Sequence, residues 1–326
     1  MSTGLPEQLV LELVKRFSNL VNFQVPLNTL SYWKIGGKAE CVISPSNLEE
    51  LQDALSIAHA YPTIPSLVIG DTSNILFDDL GYKGILIKLG NNLSKFECIE
   101  NKIYCEAGVW VPGLAFRCYK QGLSGIEHTC GIPGRIGGLV YMNGGSQRRG
   151  ILENVESVIA FTKEGTREEY YLRDMNYSYR KSPFQGKPLI IAAVNLKLHA
   201  ERPSTIRRSM LNILSSRRKK FPRKLPNCGS VFLSDPKMYD FVGPPGFAIE
   251  KSGLKGYRKG NAQISPLHAN FIVNLGGASS DDVLYLIALA RKKVETDTGF
   301  LMDCEVRYVR PNGEVLQAHE YTDRTF

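Results

Sequence analysis

Three short segments carry the residue types that could do chemistry. Asn227-Cys228-Gly229-Ser230-Val231-Phe232 places a serine behind a glycine, which invites a nucleophile reading. The hydrolase pattern G-x-S-x-G would need glycine at 232, where phenylalanine stands, so Ser230 is left as a proton donor or an ordinary turn serine. Tyr179-Arg180-Lys181-Ser182 lies just ahead of the apolar run LIIAAVNL. An arginine there can fork onto a carboxylate or sit solvated at the surface. Glu305 lies in the alternating run MDCEVRYV, between Cys304 and Val306. Its side chain should face away from theirs, which by default means solvent.

Two glycine-rich segments suit a ligand rather than a reaction. Gly70-Asp71-Thr72-Ser73-Asn74 follows SLVI and precedes ILF. Gly131-Ile132-Pro133-Gly134-Arg135-Ile136-Gly137-Gly138 runs on to Met142-Asn143-Gly144-Gly145-Ser146. Glycine lets backbone approach a ligand closely, and successive amides can form a nest for pyrophosphate. Neither segment has the spacing of a dinucleotide fingerprint or a P-loop. Together they favour a nucleotide cofactor over plain turns. The one dense basic run, Arg217-Arg218-Lys219-Lys220 with Arg223 and Lys224, has only Phe221 interleaved. That pattern fits a diphosphate-bearing substrate or a solvated helix end better than nucleic acid. His268 could act as acid or base, but with no partner visible in sequence it reads as a hydrogen-bonded structural histidine.

These segments need a scaffold of some size. The chain has 326 residues, about twice the usual single-domain length, so two or three domains are expected. Hydrophobic residues at 43% and charged residues at 22% exclude a disordered chain and a coiled coil. No apolar stretch approaches the ~18 residues of a membrane helix, and the N-terminus lacks the pattern of a secretory signal. The seven cysteines include no C-x-x-C pair, which supports neither a disulfide framework nor a zinc site, and reads as reduced core thiols. A formal charge of +8 allows nucleic acid, anionic surfaces or phosphorylated ligands.

The pattern predicts α+β or α/β. PEQLVLELVKRF has helical spacing, and SNLEELQDALSIAHAY opens on Ser46 or Asn47 as N-cap. VPGLAFRCYKQG and the basic stretch from Thr205 to Lys220 read as helices, as does ASSDDVLYLIALARKKVETDTG, capped by Ser279 or Ser280, with acids in its first turn and bases near its end. ECVISP, SLVIG, GILIKLG, KIYCEAG and VESVIAFTKEG read as strands. MDCEVRYVRPNGEVLQ reads as a strand turning at Pro311-Asn312-Gly313. The Pro/Gly-rich passage near residue 244 is a candidate mobile loop.

Taken in order, these segments resemble the UDP-N-acetylenolpyruvoylglucosamine reductase family of peptidoglycan precursor synthesis. The resemblance runs through IGGKAE, IGDTSNILFDDLGYKGILIKL, GLSGIEHTCGIPGRIGGLVYMNGGS, YSYRKSPF, NCGSVFLSDP, GLKGYRKGNAQISPLHANFIVN and DCEVRYV. The short distance from Arg180 to Ser230 matches the family's shorter type, without a tyrosine-bearing insertion. The resemblance implies an α+β chain with a FAD-binding fold of the vanillyl-alcohol-oxidase type. Two cofactor subdomains, 1–90 and 91–204 (the second completed by 306–326), would be closed over by a substrate domain, 205–305.

It implies FAD and NADPH as cofactors, and UDP-N-acetylglucosamine enolpyruvate as substrate. Ser230 becomes the proton donor, while Arg180 and Glu305 hold and polarise the substrate carboxylate. Gly70, Asp71, Thr72, Ser73, Asn74, Gly131, Pro133, Gly134, Gly137, Gly138 and Asn143 would hold FAD. Arg217 and Arg218 would meet the diphosphate. The expected enzyme is a cytoplasmic monomer with no metal, nucleic-acid or membrane partner. Two departures stand out. Asp71 adds an acid where pyrophosphate would lie, so its side chain is expected to point away. Gln147-Arg148-Arg149 replaces the family's small-residue and Tyr-Gly ending, which bears on how NADPH and substrate enter the shared site. A flavin oxidase or dehydrogenase of the same fold, and a sugar-nucleotide or nucleic-acid binding protein, are the competing readings.

Overall fold

A computed structural model describes residues 3–325. The opening sequence forms the helix Glu7–Phe17, whose Leu9, Leu13 and Phe17 recur at helical spacing and are buried. With the helix Leu48–Ala60 it covers one face of a four-stranded sheet. That sheet runs Val21–Pro26, Lys38–Ile43, Tyr82–Lys88, Ser66–Ile69, antiparallel at the first pair and parallel at the other two. Asn47, not Ser46, caps the second helix by accepting from the Glu50 amide at 2.8 Å.

A second, wholly antiparallel sheet has the order Arg167–Tyr171, Val155–Thr162, Leu189–Lys197, Lys102–Glu106, Phe96–Ile99. The helices Val111–Lys120 and Ile136–Tyr141 bury Val111, Leu114, Ile136 and Val140 against it. A third, three-stranded sheet of Arg258–Lys259, Ala262–Ile264 and Ile272–Asn274 packs on the helices Pro245–Lys251 and Ser280–Thr298. The passage near residue 244, expected as a mobile loop, leads directly into the first of these helices. Ser279 caps the long helix in a reciprocal capping box with Asp282, and Gly299 ends it at φ 73°. Ser280 instead donates its amide and hydroxyl to Asp79. The bases expected near the end of this helix stop at Lys293, and its last turn has none.

Two expectations change in the folded chain. Of residues 306–326, expected to complete the second subdomain, those described return to the first unit and pack on the third. The strand Arg307–Val309 pairs in parallel with Ile75–Phe77, and Val309 joins the core of Leu27, Phe77 and Leu86. The Gly313 hairpin then folds Val315–Gln317 back on it. The run MDCEVRYV is also strand over only Arg307–Val309, with an isolated bridge from Cys304 to Phe232. The basic helix begins at Pro203, and its Ile206, Met210 and Ile213 pack on Ala115 and Cys130 of the second unit. Among the described residues no helix is long and apolar enough to cross a membrane.

Candidate active site

The two glycine-rich segments meet. Gly70–Asn74 links the strands Ser66–Ile69 and Ile75–Phe77, and the second segment leads into the helix Ile136–Tyr141. Asp71 does not face a would-be phosphate unopposed, because its Oδ1 accepts from Arg135 Nε at 2.6 Å. Arg135 Nη1 goes on to Asn91 Oδ1 and the Gly108 carbonyl, at 2.7 and 2.8 Å. Thr72 takes the left-handed backbone that glycine favours, at φ 58°. Its hydroxyl offsets the strain by donating to the Leu30 carbonyl and accepting from the Tyr32 amide.

Between these segments lies room for a ligand. A Cβ on Gly134, at φ 132°, would stand 3.0 Å from Ser73 Oγ, and one on Gly138 would meet nothing within 4 Å. Among the described residues none hydrogen-bonds to Ser73. An unpartnered hydroxyl facing a glycine cradle fits the pyrophosphate of the expected FAD. Other expected contacts are committed elsewhere. The Gly137 amide donates to the Ala107 carbonyl at 3.0 Å, and a Cβ there would lie 2.8 Å from the Ala107 methyl. Gly131 makes space for Arg217, whose Cδ is 2.5 Å from where its Cβ would be. Pro133 lies in the same turn and Gly70 backs onto the Arg135 side chain.

Asn143, expected at the cofactor, has spent its amide group on backbone. It donates to the Ser178 carbonyl at 2.8 Å and accepts from the Leu152 amide at 3.2 Å. It thereby anchors the tight turn closed by reciprocal Ser178–Lys181 backbone bonds. Arg180 stands at the tip of that turn with φ 58°.

Arg180 reaches Glu305 there. Arg180 Nε lies 3.3 Å from Glu305 Oε1, with side chains 22% and 15% exposed. The angle makes no hydrogen bond, so this buried Nε keeps a free donor. Glu305 is therefore not at the solvent, as strand alternation implies, but sealed beside an arginine. Burial pushes its carboxyl above the usual glutamate range, and the Arg180 charge only partly opposes this. Backbone ties bring the other segments to the same place. Glu305 N donates to the Val231 carbonyl at 2.8 Å, next to Ser230. Asn74 Nδ2, from the first glycine-rich segment, donates to the Glu305 carbonyl at 2.9 Å. Gly229 at φ 78° and Asn227 shape the Ser230 loop, and Asn270 braces it from both sides of Phe232. Among the described residues the Ser230 hydroxyl has no partner.

The basic run divides. Arg217 packs its guanidinium over the Phe221 ring at 4.9 Å, and burial together with the Arg223 and Arg180 charges lowers its proton affinity. Arg218 is exposed, without a partner among the described residues. His268 keeps its structural reading: it packs edge-on to Phe221 and Phe271, and its Nδ1 accepts from the Asn270 amide. A groove of about 780 Å³ on the outer face of the second sheet, lined by Tyr104, Ser157 and Asn195, contains none of these groups. Sequence reasoning missed Arg135, Asn270 and the second role of Asn74. The charge of Arg135 amid glycines was the visible signal for the first.

Known proteins match this chain over most of its length. Residues 39–170 match the FAD binding domain, and residues 221–309 match the C-terminal domain of UDP-N-acetylenolpyruvoylglucosamine reductase. UDP-N-acetylenolpyruvoylglucosamine reductase 1 of Corynebacterium glutamicum is 47% identical over 92% of this chain and 89% of its own. The reductase of Syntrophomonas wolfei is 36% identical over 89% of this chain and 95% of its own. The crystal structure of the reductase from Thermus caldophilus superposes with TM-score 0.73 at 30% identity, covering 88% of this chain and 97% of that one. With the cofactor cradle, the Arg180–Glu305 pair and the Ser230 loop joined as the fold joins them, and with relatives matched over nearly their whole length, the chain belongs to the UDP-N-acetylenolpyruvoylglucosamine reductase family.

Proposed function

We propose that this chain reduces the enolpyruvyl group of UDP-N-acetylglucosamine enolpyruvate with NADPH, with Arg180, Ser230 and Glu305 at the reacting end. The observation that carries the residue roles is the buried Arg180–Glu305 pair, with its free Nε donor, one backbone bond away from the Ser230 loop.

FAD, when bound, would supply the hydride chemistry that links NADPH to the methylene carbon of the enolpyruvyl group. Ser73, Gly134 and Gly138 would hold its pyrophosphate, with Asp71 neutralised by Arg135. Arg180 engages the substrate carboxylate through its unused donors. Burial makes the Glu305 carboxyl hold a proton more readily than an ordinary glutamate, and beside the substrate carboxylate it would be protonated or share a proton, donating rather than repelling. As negative charge grows at the adjacent carbon and spreads into the carboxylate, both groups stabilise it in a site largely closed to water. Ser230 then gives its hydroxyl proton to that carbon, completing addition across the double bond. Arg217, inward-facing and close to Arg180 in charge, is placed to meet the sugar-nucleotide diphosphate.

The enzyme acts as a cytoplasmic monomer on this reading, a placement that its seven free cysteines support, six of them buried. The limit expected at 204/205 moves on this reading: the helix Pro203–Lys220 packs on the second unit, so the domains run 1–90, 91–220 and 221–305, with 306–325 joining the first and third units. An anaerobic titration tests the whole reading. NADPH should bleach the flavin band near 450 nm, and the enolpyruvyl sugar should restore it at once. Bleaching without recovery discards the substrate, and a chain that takes up no flavin discards the enzyme.

A further inference from the structure

The segment that carries Glu305 is not a regular strand, because its polar groups are held from outside. Arg291 Nε donates to the Met302 carbonyl at 2.5 Å. The Asp303 carbonyl accepts from Leu233 N at 2.9 Å, and the Asp303 carboxylate lies 3.5 Å from His319 Nε2 and 3.9 Å from Arg291 Nη2. His319 Nδ1 accepts the Cys304 amide at 2.9 Å. The Val306 carbonyl accepts from Ala318 N at 2.9 Å. Five of these contacts come from Arg291 and from the C-terminal helix Ala318–Thr325, which touch neither Arg180 nor Ser230. Arg291 is 5% exposed and pairs through Nη1 with Asp323, which pins that helix in place.

We infer that His319 is a positioning residue for the reaction: it sets the Glu305 carboxyl by holding the Cys304 amide, and the Arg291–Asp323 pair holds His319 where it can do so. The inference rests on the proposed role of Glu305. The physical case is one of leverage. The Cys304 amide lies in the rigid Asp303–Cys304 peptide plane, and only the φ and ψ of Cys304 separate that plane from the one that carries the Glu305 amide. Without the imidazole the first plane turns to find another acceptor, and the torsions at Cys304 pass that turn on to the Glu305 backbone. The side chain of His319 is 12% exposed, so little water is at hand to replace it. The acceptor must be Nδ1, so the ring carries its proton on Nε2, toward Asp303.

The test uses the full, FAD-loaded chain in separate half-reactions. In His319→Ala, reduction of the flavin by NADPH should proceed within about twofold of the wild-type rate. Its reoxidation by the enolpyruvyl sugar should slow by about 10- to 100-fold, as a misplaced catalytic group costs. The kcat should fall with little change in the KM for the sugar. His319→Asn, whose Oδ1 lies near the position of Nδ1, should restore most of the rate. Hydrogen exchange at the Cys304 and Glu305 amides should quicken in His319→Ala and return toward normal in His319→Asn. Wild-type reoxidation in His319→Ala, or equal slowing of both half-reactions, overturns the inference. Glu305→Gln is run alongside. If that variant loses reoxidation and His319→Ala does not, only the positioning role fails. If Glu305→Gln reoxidises normally, the catalytic role of Glu305 fails and the inference with it.

Discussion

Asp71 and Arg135, 64 residues apart, close an ion pair of 2.6 Å between the two glycine-rich segments. Both side chains are about 85% covered, and the arginine also binds Asn91 and the Gly108 carbonyl. The pair removes the repulsion an acid would bring to a pyrophosphate site, and it staples the segments to each other.

Arg135→Ala leaves Asp71 unopposed beside the cofactor, and FAD affinity should fall by about tenfold or more, ~1.4 kcal/mol. Asp71→Ala frees a cation there and should weaken FAD less. It should still lower the stability of the apoprotein by about 1–3 kcal/mol through the arginine left unpaired. Flavin fluorescence titration and urea unfolding of each variant and of the double variant measure both effects. Equal FAD affinity in all three would remove the pair from cofactor binding.

Ser230→Ala should bind FAD and accept reduction by NADPH as the wild type does. Product formation should fall by about 10²- to 10⁴-fold, the usual worth of a positioned proton donor. Single-turnover mixing with the enolpyruvyl sugar reads this, and unchanged turnover would deny the hydroxyl its role.

Glu305 should leave a mark on stability as well as on rate. Its folded-state proton affinity is raised by burial, so the carboxyl contributes stability while protonated and loses it as pH climbs above the ordinary glutamate value of ~4.3. Glu305→Gln cannot ionise and escapes that loss. Its urea midpoint should therefore gain on the wild type between pH 4 and pH 8 while reduction of the sugar collapses. A difference that is flat across this range would mean that the carboxyl titrates normally.

Arg217 and Arg218 should part company. Arg217→Ala should raise the KM for the UDP-sugar by about 10- to 100-fold, the worth of one or two charge-assisted bonds. Arg218→Ala, at an exposed position, should change it by less than about threefold. Gly131→Ala puts a methyl 2.5 Å from Arg217 Cδ and should resemble Arg217→Ala without touching a charge. Steady-state kinetics with the sugar varied separates the three.

Local order was written in the sequence because it depends on near neighbours. Leu9, Leu13 and Phe17 mark one helix face, Asn47 and Ser279 accept the first free amides of their helices, and Gly313 takes the turn that folds the last hairpin. The residue types proposed for reduction, a serine, an arginine and a carboxyl, come from the family resemblance that the order of the segments carries. Tertiary structure decided which groups those residues face. Alternation along a strand says that Glu305 points away from Cys304 and Val306, but not that the Arg180 turn covers that side. The stretch around Glu305 leaves regular strand geometry apart from the isolated bridge at Cys304, because Arg291, His319, Val231 and Asn74 claim its amides and carbonyls. Thr72 could occupy a glycine's backbone only because the Leu30 carbonyl and the Tyr32 amide bond its hydroxyl. Asn74 and Glu305 meet across a separation of 231 residues. Spacing encodes which side of an element is apolar; burial, charge pairing and the raised carboxyl arise only when distant chain closes over the other side.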